Sequence, residues 1–179
     1  LVCYPKLNVK VALTHAGLTV GEDGATHQMF EDIALTNALP NMTVFVPADA
    51  TEAKQAIFAA AEIKGPVYIR LGRAKTDVIY TPDYKFTPGV AHVLKEGSEV
   101  TLFACGIMVA KALEAAAILE NEGISVSVVN ISTIKPLDKA AVLKYSEGRK
   151  AVVTCEEHSV IGGLNSVVSQ TIAAAGLGV

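Results

Sequence analysis

Gly21-Glu22-Asp23-Gly24-Ala25-Thr26-His27-Gln28, preceded by Thr14-His15, gathers two imidazoles and a carboxylate around a glycine-flanked turn. Histidine is the side chain whose ordinary pKa lies nearest neutrality, so a pair beside an acid suits proton transfer among sugar-like hydroxyls. Gly21 and Gly24 allow tight backbone geometry or close ligand approach, with Asp23 and His27 free to point into the site. The plainer explanation is a surface loop of ordinary polar residues, with Asp23 a turn former or helix cap. His15 taken alone is more often a half-buried histidine with its nitrogens satisfied than a catalytic one. Arg70 and Arg73, with Lys75 close by, add planar guanidinium groups that recognise phosphate or carboxylate bidentately. Scattered charge at a solvated strand end is the alternative there.

These residues need strands and helices to hold them. Val9, Val11 and Leu13 alternate as in a short half-buried strand, which delivers His15 and the glycine-rich motif at its end. A helix of about a dozen residues follows, with Thr26 as its cap and Phe30, Ile33, Ala34, Asn37 and Ala38 on one face. Thr43–Val46 reads as a strand. Asp49-x-x-Glu52 has capping-box spacing and opens an alanine-rich helix with Ala53, Ala56, Ile57 and Ala60 inward. Gly65-Pro66 ends it, and Val67–Leu71 is a third strand running into Gly72-Arg73. Residues 74–90 have no clear period.

A second alternation begins with a strand at Val100–Ala104 and a helix from Val109 to Glu122 that Gly123 stops. Strands at Val126–Asn130 and Ala151–Cys155 bracket a short helix after Pro136-Leu137-Asp138, and Gly162-Gly163 opens a last helix. The order predicts an α/β fold of two tandem three-layer units with mostly parallel sheets: residues 1–80, a linker at 81–90, and residues 91–179. In such sheets ligands meet the carboxyl ends of strands, where His15, the motif, Arg73 and Gly106 all fall. Glu156-Glu157-His158 looks like an acid/base or metal cluster, but consecutive strand residues point to alternate faces and do not converge. A polar exit from a buried strand fits better. Gly162-Gly163 suits an anion or, equally, a tight turn.

The chain has 179 residues, of which 51% are hydrophobic and 18% charged, so disorder is excluded and sizeable cores are expected. A net charge of −3 with no basic run argues against a nucleic-acid partner. No apolar stretch approaches a membrane span, and no signal-peptide pattern opens the chain. Cys3, Cys105 and Cys155 are odd in number and far apart, which predicts free thiols in a reducing cytoplasm and no structural zinc. Leu1 opens the chain and runs almost straight into apolar sequence, so a start within a longer protein is expected.

With these motifs set out, the chain resembles the transketolase family of thiamine diphosphate enzymes. The likeness rests on T-H…G-E-D-G-x-T-H-Q at 14–28, L-P-N-M and V-P-A-D within 39–49, and P-V-Y-I-R-L-G-R at 66–73. It continues through A-C-G at 104–106, T-I-K-P-L-D at 133–138 and E-E-H…G-G at 156–163. The resemblance implies the end of a pyrimidine-binding domain followed by most of a carboxy-terminal domain, truncated at its end, whose role is dimer contact and stability. It implies that His15 and His27 are active-site histidines, with His27 near the thiazolium. It assigns Asp23 to a donor hydroxyl and Arg73 to the substrate phosphate, and gives Arg70 no counterpart. The implied reaction transfers a two-carbon ketol unit between sugar phosphates, in the pentose phosphate pathway. Thiamine diphosphate and Mg2+ serve the complete enzyme, and most residues that bind them lie outside this chain. An amino-terminal half, within one protein or as the partner subunit of a split transketolase, is therefore expected, with self-association and an inactive isolated chain. Ala25 and Ala16 stand where many members have proline and aspartate, which leaves the exact sugars open. A deoxyxylulose-phosphate synthase fragment, suggested by Phe30-x-Asp32-Ile33, is the nearer alternative, and a 2-oxo acid dehydrogenase beta subunit the further one. A non-catalytic assembly module is the alternative of another class.

Overall fold

Two four-stranded, mostly parallel sheets carry the chain, and a computed structural model describes all 179 residues. The first half contributes β1 (Lys10–Leu13), a 3-10 segment at Leu18–Asp23, α1 (Asp32–Ala38), β2 (Thr43–Phe45), α2 (Ala50–Glu62) and β3 (Val67–Arg70). The second half contributes β4 (His92–Lys95), β5 (Val100–Ala104), α3 (Met108–Asn121), β6 (Val126–Asn130), β7 (Thr133–Lys135), α4 (Lys139–Ser146), β8 (Ala151–Cys155) and α5 (Leu164–Ala174). The strand orders are β1-β3-β2-β7 and β4-β6-β5-β8. β1, β3 and β2 run parallel, as do β6, β5 and β8, whereas β7 on β2 and β4 on β6 run antiparallel.

β4 and β7 have no strong period in the sequence, being short segments read in the context of their neighbours. β7 matters most. It comes from the second half yet adds to the first sheet, so the two halves share backbone hydrogen bonds as well as a core. The largest buried apolar cluster mixes Ile33, Val44 and Tyr68 of the first half with Phe103, Ile134 and Leu164 of the second. Residues 81–90 carry no helix or strand, but Phe86 is buried with its ring edge-on to Phe45 at 5.0 Å between centroids.

Helix starts follow local chemistry with one correction. Asp49 caps α2 by accepting from the Glu52 amide at 2.8 Å, and its other oxygen accepts from the amides of Ile79 and Tyr80. Asp138 likewise caps α4 through the Ala141 amide. The helix expected from Thr26 begins only at Asp32 and has seven residues. The Thr26 hydroxyl is spent on His27, and the chain stays in turns after Gly24 (φ 74°) until Met29 pairs with Ala16. Ile57, expected inward on α2, is 46% exposed: Glu52, Ala56 and Ala60 form the buried stripe, and Ile57 falls beside it.

Candidate active site

The motif is an excursion closed at its base. Ala16 and Met29 form a parallel bridge, and the Gly17 amide donates to the Met29 carbonyl at 2.9 Å. His15 immediately precedes the bridge on one side, and His27 and Gln28 precede it on the other. His15 has φ 68°, a left-handed conformation uncommon for a non-glycine residue, which turns the chain sharply off β1. Each histidine is held in the same manner. Thr14 Oγ1 lies 2.8 Å from His15 Nδ1, and Thr26 Oγ1 lies 2.9 Å from His27 Nδ1. The Nε2 atoms are thus left for solvent or substrate, as a proton-exchanging pair requires.

Arg73, beyond the end of β3, reaches back to the excursion. Its Nε is 3.2 Å from Asp23 Oδ2, its Nη2 3.4 Å from Glu22 Oε1, and its Nη1 donates to the Val20 carbonyl at 3.0 Å. Gly21, with φ 74°, makes the reversal that brings Glu22 and Asp23 onto the guanidinium. Arg73 and Asp23 are partly exposed and Glu22 is 85% exposed, so the pairs add little stability and act chiefly to hold geometry. Of the four site residues, Asp23 and Arg73 are in contact. His15 and His27 stand at the base of the same excursion, each bonded to its own threonine, with no hydrogen bond to that pair.

Arg70, three residues earlier, does different work. It is 7% exposed and pairs bidentately with buried Asp32 at 2.7 and 3.1 Å, and Tyr68 donates to the same carboxylate at 2.7 Å. Burial opposes the Arg70 charge, but the hydrogen bond and charge of Asp32 outweigh it and hold its pKa above the ordinary value. Arg70 also donates to the carbonyls of Met29 and Glu157, clamping the return of the motif to the second half.

Glu157 points away from its neighbours, whereas Glu156 and His158, two residues apart and so on one face, come within 3.9 Å, closer than the alternation alone suggested. Glu156 accepts from the first amides of α5, Leu164 and Asn165, at 2.6 and 2.8 Å, so the chain's own carboxylate fills the anion position after Gly162-Gly163. Glu157 accepts from the Thr19 amide and hydroxyl. His158 Nε2 accepts from the Ile33 and Ala34 amides at the start of α1, while Nδ1 lies 2.6 Å from the Ser159 carbonyl. Only the neutral ring with its proton on Nδ1 satisfies both. The sequence signal for these roles was the polar run at a strand exit, whose alternating directions reach three different elements.

A cavity of about 40 Å³ at the ends of β1, β3 and β5 is lined by Ala16, Arg70, Gly72, Gly106 and Glu157. A wider groove of about 410 Å³ runs beside it between Leu18, Phe30, Met108 and Glu157. The largest groove, about 740 Å³, lies away from all of these, between α4 and α5. No cluster of three or more His, Cys, Asp or Glu is arranged to hold a metal ion. The residues present thus fit proton exchange at hydroxyls and anchoring of an anion, but supply no donor set for a cation-bridged diphosphate.

Residues 1–77 match the transketolase pyrimidine binding domain, and residues 89–178 the transketolase C-terminal domain. The chain belongs to the transketolase family. A transketolase C-terminal section of Methanocaldococcus jannaschii is 48% identical over 99% of this chain and 56% of its own length. A 6-deoxy-6-sulfo-D-fructose transketolase subunit of a Clostridium species is 42% identical over 96% of this chain and 53% of its own length. A solved split-gene transketolase, described as an inactive beta4 tetramer, is 54% identical and superposes with a TM-score of 0.90, over 97% of this chain and 56% of that one. This transketolase-family chain thus spans little more than half the length of these relatives. Transketolases depend on thiamine diphosphate, and the two family domains are those the motifs implied.

Proposed function

We propose that this chain is the carboxy-terminal part of a transketolase, moving a two-carbon ketol unit between sugar phosphates in the pentose phosphate pathway. The observation that carries this reading is the Asp23–Arg73 contact at 3.2 Å, in an excursion flanked by two histidines that bond only their own threonines, through Nδ1. Arg73 offers a guanidinium to the substrate's terminal anion, Asp23 accepts from a donor hydroxyl, and His15 and His27 exchange protons at Nε2. Thiamine diphosphate, when bound, supplies the carbanion-stabilising chemistry, with His27 beside the thiazolium. An amino-terminal half, or a partner subunit in a split enzyme, brings the residues for the diphosphate and Mg2+. The relative described as an inactive beta4 tetramer supports an isolated chain that self-associates without activity. Three free cysteines support a reducing cytoplasm. No helix is long and apolar enough to cross a membrane.

The test is a coupled assay with the amino-terminal half supplied. Xylulose 5-phosphate with ribose 5-phosphate should turn over, whereas pyruvate with glyceraldehyde 3-phosphate, the deoxyxylulose-phosphate synthase pair, should not. Product from the second pair alone would overturn the assignment, and none from either would favour a non-catalytic module. Titration calorimetry of the isolated chain with thiamine diphosphate and magnesium should show at most weak binding. A 6-sulfo-ketose belongs in the same assay, because the relative that acts on a sulfonated fructose shares much of this sequence and Arg73 can pair with either anion.

A further inference from the structure

We propose that Glu157, in the second half of the chain, is a positioning residue for Asp23 in the ketol-transfer site. The inference rests on the reading of that site as a transketolase site.

The Leu18–Asp23 segment is held at two successive residues by two different elements. Arg73, after β3, takes the Val20 carbonyl. Glu157, at the exit of β8, takes Thr19: Oε1 accepts from the Thr19 amide and Oε2 accepts from its hydroxyl at 3.1 Å. Beyond Val20, which is fully buried, Gly21 reverses the chain and delivers Asp23. Gln28 Nε2 donates to the Leu18 carbonyl at 3.2 Å, but Thr19 itself is held by a carboxylate from 138 residues away. Glu157 is itself located by its backbone carbonyl, which accepts from Arg70 at 2.9 Å, and Arg70 is locked on buried Asp32. The adjoining His158 is fixed on the amides of α1. A rigid base therefore carries the carboxylate. Gly17 closes the fit: a Cβ there would lie 2.3 Å from Glu157 Cδ and Oε2, so only a glycine lets the carboxylate reach Thr19 without shifting.

This gives the second half of the chain a direct hold on the substrate-binding loop, in addition to its contribution to the shared core. A carboxylate misplaced by a fraction of its reach loses its alignment with a sugar hydroxyl, at a cost on the order of tenfold or more in rate.

The experiment uses the chain together with its amino-terminal half and measures kcat/KM for ketol transfer. Glu157→Ala should lose about tenfold, and Glu157→Gln, which can still accept from the amide and donate to the hydroxyl, should recover most of it. Gly17→Ala should reproduce the loss from the other side. In an Asp23→Asn background, Glu157→Ala should cost little more, since both act through one carboxylate. Wild-type kcat/KM in Glu157→Ala, equal losses in the Ala and Gln variants, or fully additive losses with Asp23→Asn would each overturn the proposal. An inactive wild-type complex would instead sink the functional reading. Amide exchange at Thr19–Asp23 in the full chain then decides the positioning claim: faster exchange in Glu157→Ala with Glu157→Gln protected supports it, and unchanged exchange overturns it.

Discussion

Arg73 Nε stands 3.2 Å from Asp23 Oδ2, so the guanidinium assigned to the substrate's anion already holds the carboxylate assigned to its hydroxyl. On the proposed reading, an arriving phosphate would compete with Asp23 and Glu22 for the same nitrogens and free Asp23 to accept from the sugar. Because the pair is half-exposed, its rupture costs little. In the complete enzyme, Arg73→Ala should raise KM for the phosphorylated donor about 10- to 100-fold, the range for losing a charged hydrogen bond. The same substitution should change KM for the dephosphorylated ketose little. Equal effects on both donors would remove the anion-binding role from Arg73.

The Arg70–Asp32 pair lies at the opposite extreme of burial, with side chains 6% and 4% exposed. Removing one partner leaves a buried charge without compensation, so Asp32→Ala should cost about 3–5 kcal/mol in urea unfolding. Replacing both residues by apolar side chains of similar volume should cost much less. The Tyr68 phenol, pushed upward first by burial and then by its bond to Asp32, should ionise at lower pH in Asp32→Ala, as a spectrophotometric titration would register.

The parts of this fold legible in the sequence are those where one segment signals its own structure. The strand at Val126–Asn130, the Asp49 cap, and the left-handed stop at Gly123 (φ 82°) follow from local pattern and side-chain chemistry. The family motifs supplied the domains. What was illegible depends on partners distant along the chain. Thr133–Lys135 becomes a strand because β2 offers it an edge, and Thr26 fails as a cap because its neighbour His27 takes the hydroxyl. The same limit applies to the site. His15, Asp23, His27 and Arg73 stand out by type and spacing, whereas Glu157 and His158 gain their roles only once folding brings Thr19 and α1 to them.

Glu52 joins three regions without any cation. Its carboxylate is fully buried and accepts from the Ala48 amide at 2.7 Å, from Asn130 Nδ2 at 3.1 and 3.0 Å, and from the Tyr84 hydroxyl at 2.9 Å. α2, β6 and the irregular segment after residue 80 therefore converge on one side chain. Glu52→Ala leaves several buried donors unmatched and should destabilise the chain by about 2–4 kcal/mol. Glu52→Gln keeps acceptor capacity on one oxygen and should cost less. Equal midpoints for wild type and Glu52→Ala in urea would show that the network adds nothing to stability.

Alkaline pH should weaken the fold through Cys105. Its thiol is fully buried; burial first, and the nearby Glu156 carboxylate second, push its pKa far above the ordinary value of 9.0. The unfolded chain releases this proton near its ordinary pKa, while the folded chain retains it. Above that pH the unfolded state therefore binds fewer protons than the native one, and stability falls as pH rises. Below it, both states keep the proton and the effect vanishes. Urea midpoints should accordingly be flat with respect to this group from about pH 7 to 8 and decline from about pH 9. Cys105→Ala should show a shallower decline than wild type. The same burial predicts slow reaction of Cys105 with a thiol reagent at pH 8 in the native chain and prompt reaction in denaturant. An identical pH profile for wild type and Cys105→Ala would show that the thiol contributes nothing to the alkaline loss.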